Sequence, residues 1–251
     1  MKISHSLHIV IPCYNEASKW PYSEYNKFLE NCPKNISFLF VNDGSTDHTG
    51  TLIDKLATSF PKNVATLHMK KNGGKSEAVR QGILLSLAQE NYSYIGYWDA
   101  DLATPLNEIQ HLDEMIEKFH QPTLLMGSRI KTLGMTNIQR KAHRHYVGRI
   151  IATLISKILN IGVYDTQCGA KLIKASDAGK LMSEKFISRW LFDVELLFRI
   201  MKMYPNKPAE QIIIEIPLNN WIEKGDSKIS ATYFLKIPIE LLRIHWRYRK
   251  L

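Results

Sequence analysis

The chain has 251 residues, 45% hydrophobic and 23% charged, which is ordinary globular composition and excludes disordered, collagen-like and disulfide-scaffold classes. Its formal net charge is +9, so its surface attracts phosphates, whether of nucleic acid, an anionic bilayer or a small molecule. Three cysteines, Cys13, Cys32 and Cys168, form an odd set without a CxxC pair, which argues against a metal cluster and for a reducing compartment.

The opening run MKISHSLHIVIPCYNE is too short in apolar residues for a signal peptide. No stretch approaches the ~18 uncharged apolar residues of a membrane span. Ile150 to Val163 comes nearest and is broken by Lys157 and Asn160. The expectation is a soluble or peripheral protein, placed at the cytoplasmic face of a membrane.

The first half alternates strand and helix signals. Leu7 to Pro12 reads as a strand that ends in a loop, Cys13 to Ala17. Ile36 to Val41 is a second strand, ending at Asn42-Asp43-Gly44-Ser45, and Val64 to Met69 is a third. Ser76 to Gln89 is a helix, and Tyr94 to Trp98 is a fourth strand ending at Asp99-Ala100-Asp101. A helix over Leu106 to Phe119 and a strand over Thr123 to Gly127 follow. This alternation predicts an α/β fold with a mostly parallel sheet flanked by helices. Ligands of such sheets bind beyond the carboxyl ends of the strands, where three polar clusters fall: Tyr14-Asn15-Glu16, Asn42 to Ser45, and Asp99 to Asp101.

The second half is less regular. Ala142 to Leu159 reads as a basic amphipathic helix, and Asp165 to Lys174 as a turn and strand. Trp190 to Met203 is an apolar helix, Gln211 to Pro217 a strand, and Tyr233 to Leu251 a basic, aromatic helix. One catalytic domain is expected over residues 1–232, followed by a basic amphipathic helix over 233–251. That helix either lies on an anionic bilayer through Trp246, Tyr248 and its arginines, or packs against the domain.

Asp99 and Asp101, at i and i+2 on an extended segment, point to one side about 6–7 Å apart. That suits one carboxylate on a cation and the other on a sugar or ribose hydroxyl. Oxygen ligands after a strand favour Mg²⁺ or Mn²⁺ over zinc. A polar turn capping the next helix would also explain the pair. Asp43 can accept the imino proton of a nucleobase or serve an Asx-type turn. Asn72-Gly73-Gly74-Lys75 either lets a phosphate approach a helix start or is an ordinary glycine turn; it lacks P-loop spacing.

Taken together, Ile9-Val10-Ile11-Pro12-Cys13-Tyr14-Asn15-Glu16, Val41 to Asp47, Asn72 to Lys75 and Asp99-Ala100-Asp101 resemble the family 2 glycosyltransferases of GT-A fold. Downstream, Gly127-Ser128-Arg129, Asp165-Thr166-Gln167-Cys168-Gly169, Trp190 to Glu195, and Asn220-Trp221 through Gly225-Asp226-Ser227-Lys228 resemble the dolichyl-phosphate glucosyltransferase and mannosyltransferase branch. The glucosyltransferases are closer, through the DTQCG and FDVELL strings.

The resemblance implies that Pro12, Tyr14 and Glu16 line the nucleotide pocket, that Asp43 reads the base, and that Lys75 sits near it. It implies that Asp99 contacts ribose or donor sugar and that Asp101 binds the divalent cation bridging the diphosphate, with Asp99 as its fellow candidate ligand. The implied reaction moves a hexose, with inversion, from a nucleotide sugar (UDP-glucose first, GDP-mannose second) to a polyprenyl or dolichyl phosphate. An ionised lipid phosphate needs cations rather than a base, and Arg129, Arg140 and Arg144 are the candidates. Arg140 and Arg144 also fit a solvated helix face.

Glu195 is expected to form a surface ion pair with Arg199 at i, i+4. Asp193 shares an apolar face with Leu196 and Leu197, and a lone buried carboxylate is costly. It is therefore assigned as acceptor-side catalytic residue or orienter, with a helix-start cap as the alternative. A saccharide hydroxyl acceptor is the competing enzyme reading. A basic nucleic-acid-binding protein is the competing class, against which stand the acidic strand ends and the lack of a recognised motif.

Overall fold

The computed structural model describes residues 3–132, 134, 136–139, 142–224 and 236–249, and within 142–147 the backbone alone. The elements are β1 (Leu7–Cys13), α1 (Tyr22–Leu29), β2 (Ile36–Asn42), α2 (Thr49–Ser59), β3 (Val64–His68), α3 (Lys75–Leu87), β4 (Tyr94–Trp98), α4 (Glu108–Lys118) and β5 (Leu124–Ser128). There follow β6 (Asn137–Gln139), α5 (Ala142–Leu159), β7 (Ala170–Lys174), α6 (Ala175–Leu181), α7 (Phe192–Met203), α8 (Ala209–Ile212), β8 (Ile213–Pro217), β9 (Asn220–Ile222) and α9 (Ile237–Arg249).

Seven strands form one sheet in the order β3-β2-β1-β4-β7-β5-β8. All neighbours are parallel except β7, which runs antiparallel to both β4 and β5. A second, two-stranded parallel ribbon joins β6 to β9. The expected mostly parallel α/β sheet is thus found. Helices α1 and α2 were not anticipated from the sequence, and neither was the reversed direction of β7.

Strand alternation sorts the core into two layers, because successive side chains point to opposite faces. Leu7, Ile9, Ile11, Phe38 and Phe40 meet Tyr25, Leu29, Ile53, Leu56, Ile109 and Leu112 from α1, α2 and α4. Val10, Leu39, Val41, Ile95 and Tyr97 meet α3, α6 and α7 on the other face, where Ile155, Leu159, Leu241 and Ile244 bring in α5 and α9. Covered on both faces, β1, β2, β4 and β5 read as near-continuous apolar runs, with His8 and Ser37 among the exceptions.

Strand β1 pairs with β2 on one side and β4 on the other. The chain winds outward through β2 and β3, then returns to start β4 beside β1. This reversal opens a crevice beyond the carboxyl ends of β1 and β4, where open α/β sheets bind ligands.

The described part of the last helix begins at Ile237, and residues 225–235 and 250–251 lie outside the described residues. One face of α9 is buried through Ile237, Leu241 and Ile244. Its Tyr248 hydroxyl donates to Glu195 on α7 at 2.8 Å. The helix therefore packs on the domain. Among the described residues, no helix is long and apolar enough to cross a membrane.

Strands β4 and β7 approach closely at Gly96. A Cβ there would stand 1.9 Å from the Lys171 carbonyl oxygen. Gly96→Ala is expected to cost about 1–3 kcal/mol by overpacking, lowering Tm by about 2–4 °C per kcal/mol for a chain of this size. Thermal unfolding followed by circular dichroism checks this, and an unchanged Tm contradicts it.

Candidate active site

The first two strand ends are laced into one wall. The Asp43 amide donates to the Cys13 carbonyl at 2.8 Å, continuing the β1–β2 ladder past its last pair. Beyond it, the Asn15 amide donates to Ser45 Oγ at 3.1 Å, and Asn15 Oδ1 accepts from the Thr46 amide at 2.9 Å. The Glu16 amide donates to Thr49 Oγ1 at 2.8 Å, and the Ala17 amide to Asp47 Oδ2 at 3.1 Å. Pro12 and Glu16 are half-buried on this wall, while Tyr14 is exposed.

Asp43 is 2% exposed. It accepts from Asn72 Nδ2 at 3.0 Å, the Gly73 amide at 2.7 Å and the Gly74 amide at 2.9 Å. Burial raises its carboxyl above the usual range, and the two glycine amides only partly offset this. Asp43 thus latches the 72–74 loop, which places Lys75 at the start of α3. Three of its roughly four lone-pair positions are taken.

Asp99 ends β4. Its amide donates to the Gly169 carbonyl at 3.0 Å, and its carboxylate pairs with Lys75 Nζ at 2.6 Å. Position 169 admits only glycine, since a Cβ would stand 1.8 Å from Asp99 Oδ2. Burial pushes the Asp99 carboxyl up, but Lys75, Lys171 and Arg129 outweigh it and hold it below the usual range.

The pair of aspartates departs from the extended geometry expected of it. The chain turns: the Leu102 amide donates to the Asp99 carbonyl at 3.2 Å, and Leu102 has φ of 53°. The turn is held from below, where Tyr25 Oη donates to the Ala100 carbonyl at 3.0 Å and Trp98 Nε1 to the Thr104 carbonyl at 2.8 Å. Asp101 Oδ1 accepts from the Ala103 amide at 2.9 Å. Burial raises the Asp101 carboxyl, and the charges of Asp99 and Glu16 raise it further.

Beneath Asp99 lies a buried charge cluster that the sequence reading missed. Lys171 is 0% exposed. Its Nζ meets Asp193 Oδ1 at 2.6 Å, the Cys168 carbonyl at 2.6 Å and the Thr166 carbonyl at 2.9 Å. The Tyr97 hydroxyl also donates to Asp193. Asp193 is therefore not a lone carboxylate; its counter-charge comes from strand β7. The signal available was a lysine inside the apolar strand Ala170–Lys174.

Lys75 lies above this cluster, 5.8 Å from the Tyr97 ring and 5.9 Å from the Phe192 ring. Burial would lower its pKa, but Asp99, then Asp193, raise it. Glu195 does pair with Arg199, at 2.9 Å, but it is 0% exposed, so the pair is internal rather than a surface bridge.

Arg129 follows β5. Its Nε and Nη2 grip the two Asp165 oxygens at 2.6 Å each, and its guanidinium lies 5.3 Å from the Trp221 ring. Burial opposes its charge, and Asp165 more than restores it, so its pKa is raised. It is fixed in place with its Nη1 donors uncommitted to Asp165. Arg140 lies outside the described residues, as does the side chain of Arg144 on α5.

Among the described residues, no three His, Cys, Asp or Glu side chains form a complete metal cage. The donor set suits a hard cation held another way. Mg²⁺-type sites commonly use one or two carboxylates and complete the shell with substrate phosphates. Asp101, crowded by the charges of Asp99 and Glu16, is a carboxylate that a cation would relieve.

The family model described as "Glycosyl transferase family 2" matches residues 8–181. A dolichyl-phosphate beta-glucosyltransferase of Trichomonas vaginalis is 31% identical over 250 residues, covering 96% of this chain and 71% of its own. The human dolichyl-phosphate beta-glucosyltransferase is 29% identical, covering 96% of this chain and 75% of its own. Among solved structures, glucosyl-3-phosphoglycerate synthase from Mycobacterium tuberculosis, with Mn²⁺, UDP and glucosyl-3-phosphoglycerate, superposes with TM-score 0.62 at 14% identity, over 96% of this chain and 78% of that one. The mannosyltransferase PcManGT from Pyrobaculum calidifontis, with GDP-Man and Mn²⁺, gives TM-score 0.59 at 16% identity, over 97% and 63%. The shared architecture is the GT-A fold.

The raised Asp101 carboxyl has a thermodynamic consequence. A group whose folded pKa is raised is disfavoured when ionised, and this cost disappears as pH falls below its unfolded value, near ~4. Asp101→Asn keeps the acceptor for the Ala103 amide and removes the charge. It is expected to raise Tm at about pH 7.5 in the presence of chelator, with the gap to the unaltered protein closing toward about pH 4. Calorimetry across that range checks this; a gap absent at neutral pH refutes it.

Proposed function

Because this chain belongs to glycosyl transferase family 2, whose model spans most of it, we propose that it transfers a hexose, glucose from UDP-glucose first among candidates, to a polyprenyl or dolichyl phosphate. The observation that carries this reading is the meeting, at one crevice, of the Asp43-latched loop, the Lys75–Asp99 pair and Asp101. The relatives named as dolichyl-phosphate beta-glucosyltransferases support the acceptor and the sugar.

The nucleoside lies along the wall made by Pro12, Tyr14 and Glu16. Asp43 offers its remaining lone pair to the base, while its other bonds hold the loop that presents Lys75. Asp99, kept ionised by Lys75, orients ribose or donor sugar hydroxyls. Asp101, with Asp99 beside it, would hold the Mg²⁺ or Mn²⁺ that serves the diphosphate. When bound, the cation offsets the charge that builds on the leaving diphosphate, an effect worth several kcal/mol.

An ionised lipid phosphate needs no general base. Its oxygen bonds to the anomeric carbon as the bond from that carbon to the diphosphate breaks, with inversion. Arg129, fixed by Asp165, has N–H groups left for the acceptor phosphate, and Arg140 and Arg144 are its fellow candidates. Asp193 serves as orienter: buried, and bonded to Lys171 and Tyr97, it holds the floor beneath Lys75 rather than reaching substrate.

The acceptor is a lipid, and α9 has a face to meet a bilayer. Ile239, Leu242 and Trp246 are 54%, 51% and 70% exposed, with Arg243, Arg247 and Arg249 on the same helix. Ile150 and Leu154 of the adjoining α5 are 64% and 43% exposed. Apolar side chains flanked by arginines suit the headgroup boundary of an anionic membrane, each basic residue adding about 1 kcal/mol.

Incubation with Mg²⁺ or Mn²⁺, labelled UDP- and GDP-hexoses and polyprenyl phosphate is expected to place label in the lipid phosphate fraction. Label in soluble glycan alone would reassign the acceptor to a saccharide hydroxyl. Asp101→Ala is expected to lower transfer about 100- to 1000-fold without loss of fold by circular dichroism; retained turnover removes Asp101 from the mechanism.

Co-sedimentation with vesicles containing phosphatidylserine tests the membrane surface. The double variant Trp246→Ala, Arg243→Gln is expected to weaken binding at least about tenfold at unchanged Tm. Equal binding by both proteins assigns the contact elsewhere.

A further inference from the structure

Four cations around the crevice are already paired. Lys75 is paired with Asp99, Lys171 with Asp193, Arg129 with Asp165 and Arg80 with Glu77. A nucleoside diphosphate brings further negative charge to a place already holding Asp43, Asp99, Asp101 and Glu16. Arg189 stands outside these pairs: it lies at this edge, is exposed, and has no ion pair among the described residues.

We propose that Arg189 is a donor-binding residue whose guanidinium contacts the diphosphate of the nucleotide sugar. The inference rests on reading the crevice as a nucleotide-sugar site. The stem of Arg189 crosses Gly74: a Cβ on that glycine would stand 3.0, 3.1 and 3.4 Å from the Cδ, Cγ and Cβ of Arg189. Gly74 is the residue whose amide binds Asp43, and it immediately precedes Lys75. Arg189 therefore sits over the junction between the base-side latch and the Lys75–Asp99 pair. Its charge is felt at Asp43, where it lowers the carboxyl against the larger effect of burial.

The backbone that carries Arg189 is held on both sides. The Ile187 amide donates to Glu195 Oε2 at 2.8 Å. Ser188 Oγ accepts from the Leu191 amide at 2.8 Å and donates to Glu240 Oε2 at 2.5 Å. Glu240 belongs to α9, so the helix with the exposed apolar face also fixes this segment. A fixed backbone carrying a guanidinium with no ion pair among the described residues reduces the ordering cost of gripping an anion. The planar fork of arginine matches phosphate oxygens in a way a lysine does not.

Isothermal titration of the full chain with UDP, GDP and uridine, in Mn²⁺, separates the possibilities. Arg189→Gln is expected to raise the Kd for the nucleoside diphosphate, and the donor KM, about tenfold or more. Uridine affinity, where measurable, and Tm should stay unchanged. Arg189→Lys should restore part of the loss. If Arg189→Gln binds the diphosphate as tightly as the unaltered protein, Arg189 does not contact it. If affinity for uridine falls equally, the residue shapes the loop instead. If the unaltered protein binds neither UDP nor GDP, the nucleotide-sugar reading itself falls, and this inference with it.

Discussion

Negative charge crowded into one crevice is the constraint on which the rest of this structure depends. Carboxylates from β1, β2, β4 and α7 converge near the switch between β1 and β4, and like charges in a half-buried space repel. Asp43 is given two backbone amides and an asparagine. Asp99 is given Lys75, and Asp193 is given Lys171. Asp101 receives one backbone amide and the repulsion of its neighbours. Asp99 and Asp193 are thus matched by lysines, whereas Asp43 and Asp101 keep carboxyls raised above the usual range.

The same compensation shapes the scaffold. A buried ion pair is tolerated only when its remaining hydrogen-bonding capacity is met. Lys171 meets this through two carbonyls as well as Asp193, and those carbonyls belong to the loop whose Gly169 backs onto Asp99. The Asp165–Arg129 pair fixes the start of that loop. The floor of the crevice, the aspartate turn and the arginine assigned to the acceptor phosphate are therefore one connected network. Helix α7 links this network to α9 through Glu195 and Tyr248, so the surface assigned to the membrane and the assigned donor site share a structural element.

Much of this was legible beforehand because the motifs are local. An apolar run followed by Asn-Asp-Gly-Ser or Asp-Ala-Asp announces a strand end and its polar mouth within a few residues. Helices α1 and α2 escaped notice because their apolar positions are few: only Tyr25 and Leu29 are buried in α1, and Thr49, Ile53 and Leu56 in α2. The aspartate pair departs from strand spacing because it lies one step past the strand, in a turn held by Tyr25 from 75 residues away.

By itself, the sequence determined the α/β class, the parallel core of the sheet, the family resemblance and the identity of the residues at the strand ends. These depend on hydrophobic period and on short strings, both readable within a window of a few residues. Only the tertiary structure decided which charges neutralise which. Tyr97 and Asp193 are 96 residues apart, and Arg129 and Asp165 are 36 apart. Their pairing depends on β7 entering the sheet antiparallel between β4 and β5. No local pattern encodes that direction, because it is set by how the whole chain packs its two apolar layers.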